Sequence, residues 1–78
     1  MPPISPKQGP AYQELGARLR RAREAARLTQ WEAAAALGKP QSFISKIESA
    51  ERRVDAVELA ALARLYGRDF GEFRVIVE

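Results

Sequence analysis

Gly38 and Pro40 stand one residue apart between two segments that both read as helix, and this break limits the fold more than any other feature of the chain. Glycine ends a helix by taking a left-handed conformation without steric cost. Proline biases the residue before it, Lys39, away from helical angles, and its own fixed φ suits the first turn of a new helix. The stretch LGKPQSFISKIE, residues 37–48, therefore predicts a sharp turn and a short new helix in place of one continuous rod.

The segments around the break support that reading. Leu15, Leu19, Ala22, Arg23 and Ala26 recur at helical spacing and predict a first helix from about Ala11 to Ala26. Thr29-Gln30-Trp31-Glu32 is a capping box, with Leu28 and Ala33 at the positions of a hydrophobic staple. The alanine run 33–36 has high helix propensity and permits close approach of a neighbour. A third helix is expected from Pro40 or Gln41 to Ser49. Its inner positions are Ile44, Ile47 and Glu48, its outward ones Gln41, Ser42, Ser45, Lys46 and Ser49, with Phe43 on a flank. A fourth starts at a second box, Asp55 to Glu58, and stops at Gly67. Apart from Glu58 and Arg64 it is apolar nearly all round, so it needs cover on more than one side.

Residues 1–10 hold four prolines and little to bury, and are expected to form a disordered or extended arm. The folded domain is expected over residues 11–68. The tail, 69–78, is ambiguous: Asp69 to Arg74 has room for a short fifth helix, while Val75-Ile76-Val77 has strand propensity.

Composition narrows the function. Seventy-eight residues make one domain at most. A chain of this size buries only about 60% of its unfolded surface, so its own core is marginal. The absence of cysteine and histidine excludes disulfides, thiolate or imidazole metal sites and the catalysis those side chains perform. With no phosphate-cradling glycine loop and no inward pair of carboxylates, no enzyme, metal or cofactor is expected. No apolar run approaches the ~20 residues of a membrane span. The N-terminus lacks the basic-then-apolar order of a signal peptide, so a cytoplasmic protein is expected. Residues 15–53 carry nine basic and four acidic side chains, net +5, whereas residues 54–78 are net −2. That asymmetry fits a polyanion-binding face, or equally a solvated arginine-rich helix.

Two helices joined across Gly38-Lys39-Pro40, the second short and polar outside, form a helix-turn-helix. A projecting helix about 10–12 Å across fits the major groove of B-form DNA. There glutamine can pair with adenine N6 and N7, serine can donate or accept, and lysine can reach guanine or a phosphate. Gln41, Ser42 and Lys46 on one outward face have that chemistry; an ordinary solvated face is the plain alternative. Glu48 lies on the inner side of the third helix and Arg23 on the inner stripe of the first. A charge on an inner face is costly unless paired, so an Arg23–Glu48 ion pair is expected to brace the third helix against the first.

The run from Leu15 to Arg53, LGARLRRAREAARLTQWEAAAALGKPQSFISKIESAERR, followed by VDAVELAALARLYG, resembles the phage-repressor (Cro/repressor-type, xenobiotic-response-element) helix-turn-helix family. Gln30 after the capping threonine, Ala34, Gly38, the Ile44, Ile47 and Glu48 set, and the LYG ending carry the likeness, which extends over roughly residues 14–72. The resemblance implies an all-α, five-helix DNA-binding domain acting as a dimer on a palindromic operator. Carried over, Gln41, Ser42 and Lys46 would meet base edges, with Phe43 and Ser45 beside them. Gln30, Lys39, Ser49, Arg52 and Arg53 would contact phosphates. The family's arginine–glutamate pair maps onto Arg23 and Glu48. Arg27 stands where members often have glycine, so a different turn between the first two helices is an expectation. Trp31 replaces a small or polar residue and would lie against the DNA backbone, pack on a neighbour or sit exposed. Phe43 would touch a thymine methyl or cover the flank of the core.

Double-stranded DNA and a second copy of the chain are the expected partners. The apolar fourth helix and the tail phenylalanines fit a homodimer interface, or else complete a small core. The arm with Lys7 would reach a minor groove or stay disordered. A repressor of its own or a neighbouring promoter is the leading expectation, and an antitoxin or other protein-binding module on the same fold is the alternative.

Overall fold

The structure, a computed structural model, describes residues 9–74. Within them the chain forms α1 (Pro10–Ala25), α2 (Gln30–Ala36), α3 (Gln41–Glu48) and α4 (Ala56–Tyr66), followed by a 3-10 turn over Phe70–Phe73. The expected fifth helix is thus a single 3-10 turn, and no strand occurs among the described residues. Its brevity has a local cause. Asp69 and Glu72 close a capping box around only four residues, and Arg74 is already extended, which leaves no room for an i→i+4 ladder. Val75–Val77, where strand propensity was noted, lies outside the described residues, as does the arm up to residue 8.

Helix starts follow the sequence signals. Pro10, expected in the arm, is instead the first residue of α1, where its missing N–H costs nothing. Thr29 and Asp55 form reciprocal capping boxes with Glu32 and Glu58. Helix ends share one device. The amides of Leu28, Lys39, Glu51 and Arg68 reach back to the carbonyls of Arg23, Ala34, Lys46 and Ala63 at 2.8–3.2 Å, closing four Schellman-type turns. The residue that each turn holds at positive φ is glycine after α2 and α4, Gly38 and Gly67, but Arg27 (φ 62°) after α1 and Ala50 (φ 63°) after α3. The turn after α1 thus closes as the other three do, without glycine at its left-handed position. The arginine adopts the left-handed conformation itself, against the ~1–2 kcal/mol that a β-carbon costs there.

The core is formed where α1 and α2 pack on α3, with α4 and the 3-10 turn packed against α1. Leu19, Ile44 and Leu62 are its most completely buried large side chains, and Ala33 and Ala34 are fully enclosed. The alanine run thus brings the backbone of α2 close to α3. Gly16 does the same for α1: a β-carbon built there would stand 2.7 Å from the carbonyl oxygens of both Ile47 and Glu48. α1 crosses the end of α3 with its backbone in contact.

Candidate nucleic-acid interface

Arg23 and Glu48, placed on inner faces by their spacing, meet in the structure. The guanidinium donates from Nε to Glu48 Oε2 at 2.7 Å and from Nη2 to Oε1 at 3.1 Å, while Nη1 donates to the Leu28 carbonyl at 2.8 Å. The two side chains are only 9% and 5% exposed, so the pair is buried and its directional demands are met. Its hydrogen bonds to Glu48 raise the Arg23 pKa further above the usual arginine value. Desolvation, with the Glu48 charge second, pushes the hydroxyl of the buried Tyr66 up to about 12.

The pair continues outward as a hydrogen-bonded chain. Gln30 Nε2 donates to Glu48 Oε1 at 3.0 Å, and Gln41 Nε2 donates to Gln30 Oε1 at 2.6 Å. Because an ionised carboxylate only accepts, Glu48 dictates which way the Gln30 amide points. Gln30 in turn dictates the orientation of Gln41. At the first position of α3, an exposed glutamine is held with its Oε1 and one Nε2 hydrogen without a further partner among the described residues. The N-terminal ends of α2 and α3 are thereby tied together at one edge of the molecule.

Of the remaining residues expected to meet DNA, Ser42 and Lys46 are exposed beside Gln41, and Ser45 is half-buried. Phe43 is 6% exposed and belongs to the core. Of its two readings, the flank-covering one describes its place in the free protein. Lys39 Nζ and the Arg52 guanidinium lie over its ring, 5.3 Å and 4.7 Å from the centroid. Arg52 is half-buried and engaged, donating from Nη1 and Nη2 to the Glu58 carboxylate at 3.1 and 3.3 Å and from Nη1 to the Arg53 carbonyl at 2.8 Å. Those bonds hold Glu58 below the usual carboxylate range. Arg52 thus ties the loop after α3 to the start of α4. Arg53 is exposed, its guanidinium 5.6 Å from the centre of the Tyr12 ring. Ser49 Oγ donates its one proton to Glu51 Oε2 at 2.8 Å, with the Lys46 carbonyl 3.3 Å away.

Three features escaped the sequence reading. The Gln30–Gln41 bond and the Arg52–Glu58 pair join residues whose contact depends on tertiary placement. Gly16 was legible in principle, as a glycine inside a helical stripe between Leu15 and Leu19. Among the described residues no group of carboxylates is arranged to hold a metal ion, and no helix is long and apolar enough to cross a membrane.

Comparison with known proteins agrees with this architecture. A family profile described as a helix-turn-helix domain matches residues 14–74. The XRE-family like protein from Pseudomonas syringae pv. tomato str. DC3000 is 49% identical and superposes with a TM-score of 0.73 over 81% of this chain and 77% of its own. The clp gene regulator ClgR from C. glutamicum shares the fold at 24% identity and a TM-score of 0.77, over 85% of this chain and 86% of its own. No protein of curated function matches the sequence. A kinked pair of short helices, a glutamine held outward at the start of the second and a profile match over most of the chain lead to one assignment: the chain belongs to the XRE-type helix-turn-helix family of DNA-binding proteins.

Proposed function

We propose that this protein is a sequence-specific transcriptional regulator, a repressor of its own or a neighbouring promoter, that binds a palindromic operator as a dimer in the cytoplasm. α3 enters the major groove, Gln41 pairs with an adenine, and Ser42 and Lys46 read adjacent base edges, with Ser45 at the margin. Gln30, Lys39, Ser49 and Arg53 meet phosphates, while Arg52 supports them from behind. The observation that carries this reading is the chain from Arg23 through Glu48 and Gln30 to Gln41. It leaves one amide pre-oriented, with an acceptor and a donor directed outward. A solvated polar face has no need of such a scaffold.

Selection of bound duplexes from a random pool is expected to return an inverted repeat with half-sites about one helical turn apart. On that operator, Gln41→Ala is expected to cost ~1–3 kcal/mol and to relax one base position. Arg53→Ala should weaken all sequences alike and reduce the salt slope by about 1. If neither change alters the titration, the docking geometry is wrong.

Support for the dimer comes from exposed apolar side chains on α4 and the 3-10 turn. Val57 is 79% and Phe70 49% exposed, and Phe70 borders an open apolar groove with Leu59, Gly71 and Phe73. Sedimentation of the wild type against a Val57→Ser, Phe70→Ser double variant should show the variant dissociating at higher concentration. The same groove suits an unrelated protein if the chain is an antitoxin. Co-purification of such a chain, with loss on deleting residues 69–78, would favour that second reading.

A further inference from the structure

Three large apolar side chains stand exposed among the described residues, and two of them, Val57 and Phe70, belong to the α4 flank. The third is Trp31, 67% exposed in the first turn of α2, immediately after Gln30. We propose that the Trp31 indole is a contact for the DNA backbone, lying against a deoxyribose and donating its Nε1–H to the neighbouring phosphate. This rests on the DNA-binding reading above and extends it to a residue that the reading did not need.

Placement and chemistry carry the proposal. Gln30 and Gln41 tie the starts of α2 and α3 together at one edge. Helical side chains lean toward the N-terminus of their helix, so a bulky residue in the first turn of α2 overhangs that same edge. The buried stripe of α2 is Ala33 and Ala34; Trp31 lies outside it and supplies no core contact that would account for its size. The nearby acid, Glu32, is turned back on the helix start by accepting the Thr29 N–H at 2.9 Å. An indole has one donor and no acceptor, which suits a phosphate oxygen, and its apolar body suits the sugar beside it. Contacts of this kind position a protein on the duplex and carry no sequence information.

Trp31 is the only tryptophan of the chain, so its emission reports this contact directly. The full-length protein and its Trp31→Ala, Trp31→Phe and Gln41→Ala variants are titrated with the selected operator and with a scrambled duplex over a range of salt. The exposed position predicts that all fold with melting temperatures close to wild type. On wild-type protein, either duplex should shift the emission and protect the indole from acrylamide. Trp31→Ala should weaken both duplexes by roughly ten-fold, the scale of a hydrogen bond to a charged group, and leave the salt slope unchanged, unlike Arg53→Ala. Trp31→Phe should recover part of the loss through ring contact alone. Unchanged emission together with wild-type affinity of Trp31→Ala, while Gln41→Ala still weakens the operator, overturns this proposal and leaves the regulator reading intact; the indole would then serve a protein partner. Failure of the wild type to bind either duplex overturns both.

Discussion

Where α1 meets α3, a charged pair lies buried with its side chains 9% and 5% exposed. No buried side-chain polar atom among the described residues lacks a hydrogen-bond partner. Along α4 and the 3-10 turn the surface is apolar and half open, with Val57 79% and Phe70 49% exposed. A buried ion pair gives little stability beyond what well-packed apolar groups would give. Its hydrogen bonds nevertheless demand a single geometry, and here that geometry ends on the amide of Gln41. Apolar contact along α4 is non-directional and tolerates many partners. One region fixes an angle, and the other leaves surface available for association.

The largest way to break this contrast is Glu48→Gln. It leaves Arg23 buried without a countercharge and frees the Gln30 amide to flip. A loss of about 3–5 kcal/mol is expected, and the melting temperature should fall by more than about 10 °C. Val57→Ser, on the open flank, should change monomer stability by no more than about 0.5 kcal/mol. Circular-dichroism melts of the two variants side by side test the pair; similar midpoints would show that the brace does not hold α3. Gly16→Ala is next, at about 2–3 kcal/mol, because the new carbon meets backbone carbonyls that cannot yield. Gly71→Ala offers the matched control. There the obstacle is the Asp69 carboxylate, 2.8 Å from the new carbon, a side chain that can swing away, so about 1 kcal/mol or less is expected. Urea titrations that rank the two in reverse would refute the close crossing of α1 and α3.

The braced region should also carry a distinct alkaline signature. The Tyr66 pKa is raised from 10.0 to about 12 in the folded chain. A group whose folded value lies above its unfolded one contributes stability that is complete below the unfolded value. That contribution is lost as pH rises toward the folded one. Denaturant midpoints are therefore expected to fall between about pH 10 and 12, and Tyr66→Phe should remove that part of the slope. Parallel curves for the two proteins would mean that the phenol titrates as if exposed.

How much of this was legible in the sequence depended on range. Capping boxes at Thr29 and Asp55, the stops at Gly38 and Gly67 and the periodic stripes are local signals, and each marks a helix end or inner face found in the structure. Arg23 and Glu48 could be paired in advance because an unpaired inner charge is so costly. Gln30 reaching Gln41, and Arg52 turning to Glu58 and Phe43, could not be read so. Each depends on an inter-element distance of a few ångströms that no periodicity encodes. The fifth helix failed for another reason. Two phenylalanines three residues apart fit an α-helix and a 3-10 turn equally, and only the extended Arg74 settles which forms.

The smallest prediction concerns the turns. Both helices that carry the brace, α1 and α3, close with a residue other than glycine at positive φ, whereas α2 and α4 close with glycine. If Arg27 is strained by ~1–2 kcal/mol, and glycine gives back about 0.5–1 kcal/mol of that through its extra unfolded-state freedom, then Arg27→Gly should stabilise the protein by about 0.5–1 kcal/mol. Arg27→Ala removes the same charge and keeps the β-carbon, so it should gain nothing, which separates strain from electrostatics. Ala50→Gly relieves the same conformation but removes a methyl that is 1% exposed, and the two effects should nearly cancel. A stabilised Arg27→Gly that still binds its operator would show that strain at the exit of α1 is incidental to the brace. Lost binding by Arg27→Gly with Arg27→Ala unaffected would mean that the stiff turn helps to hold Arg23, and through it Gln41, in place.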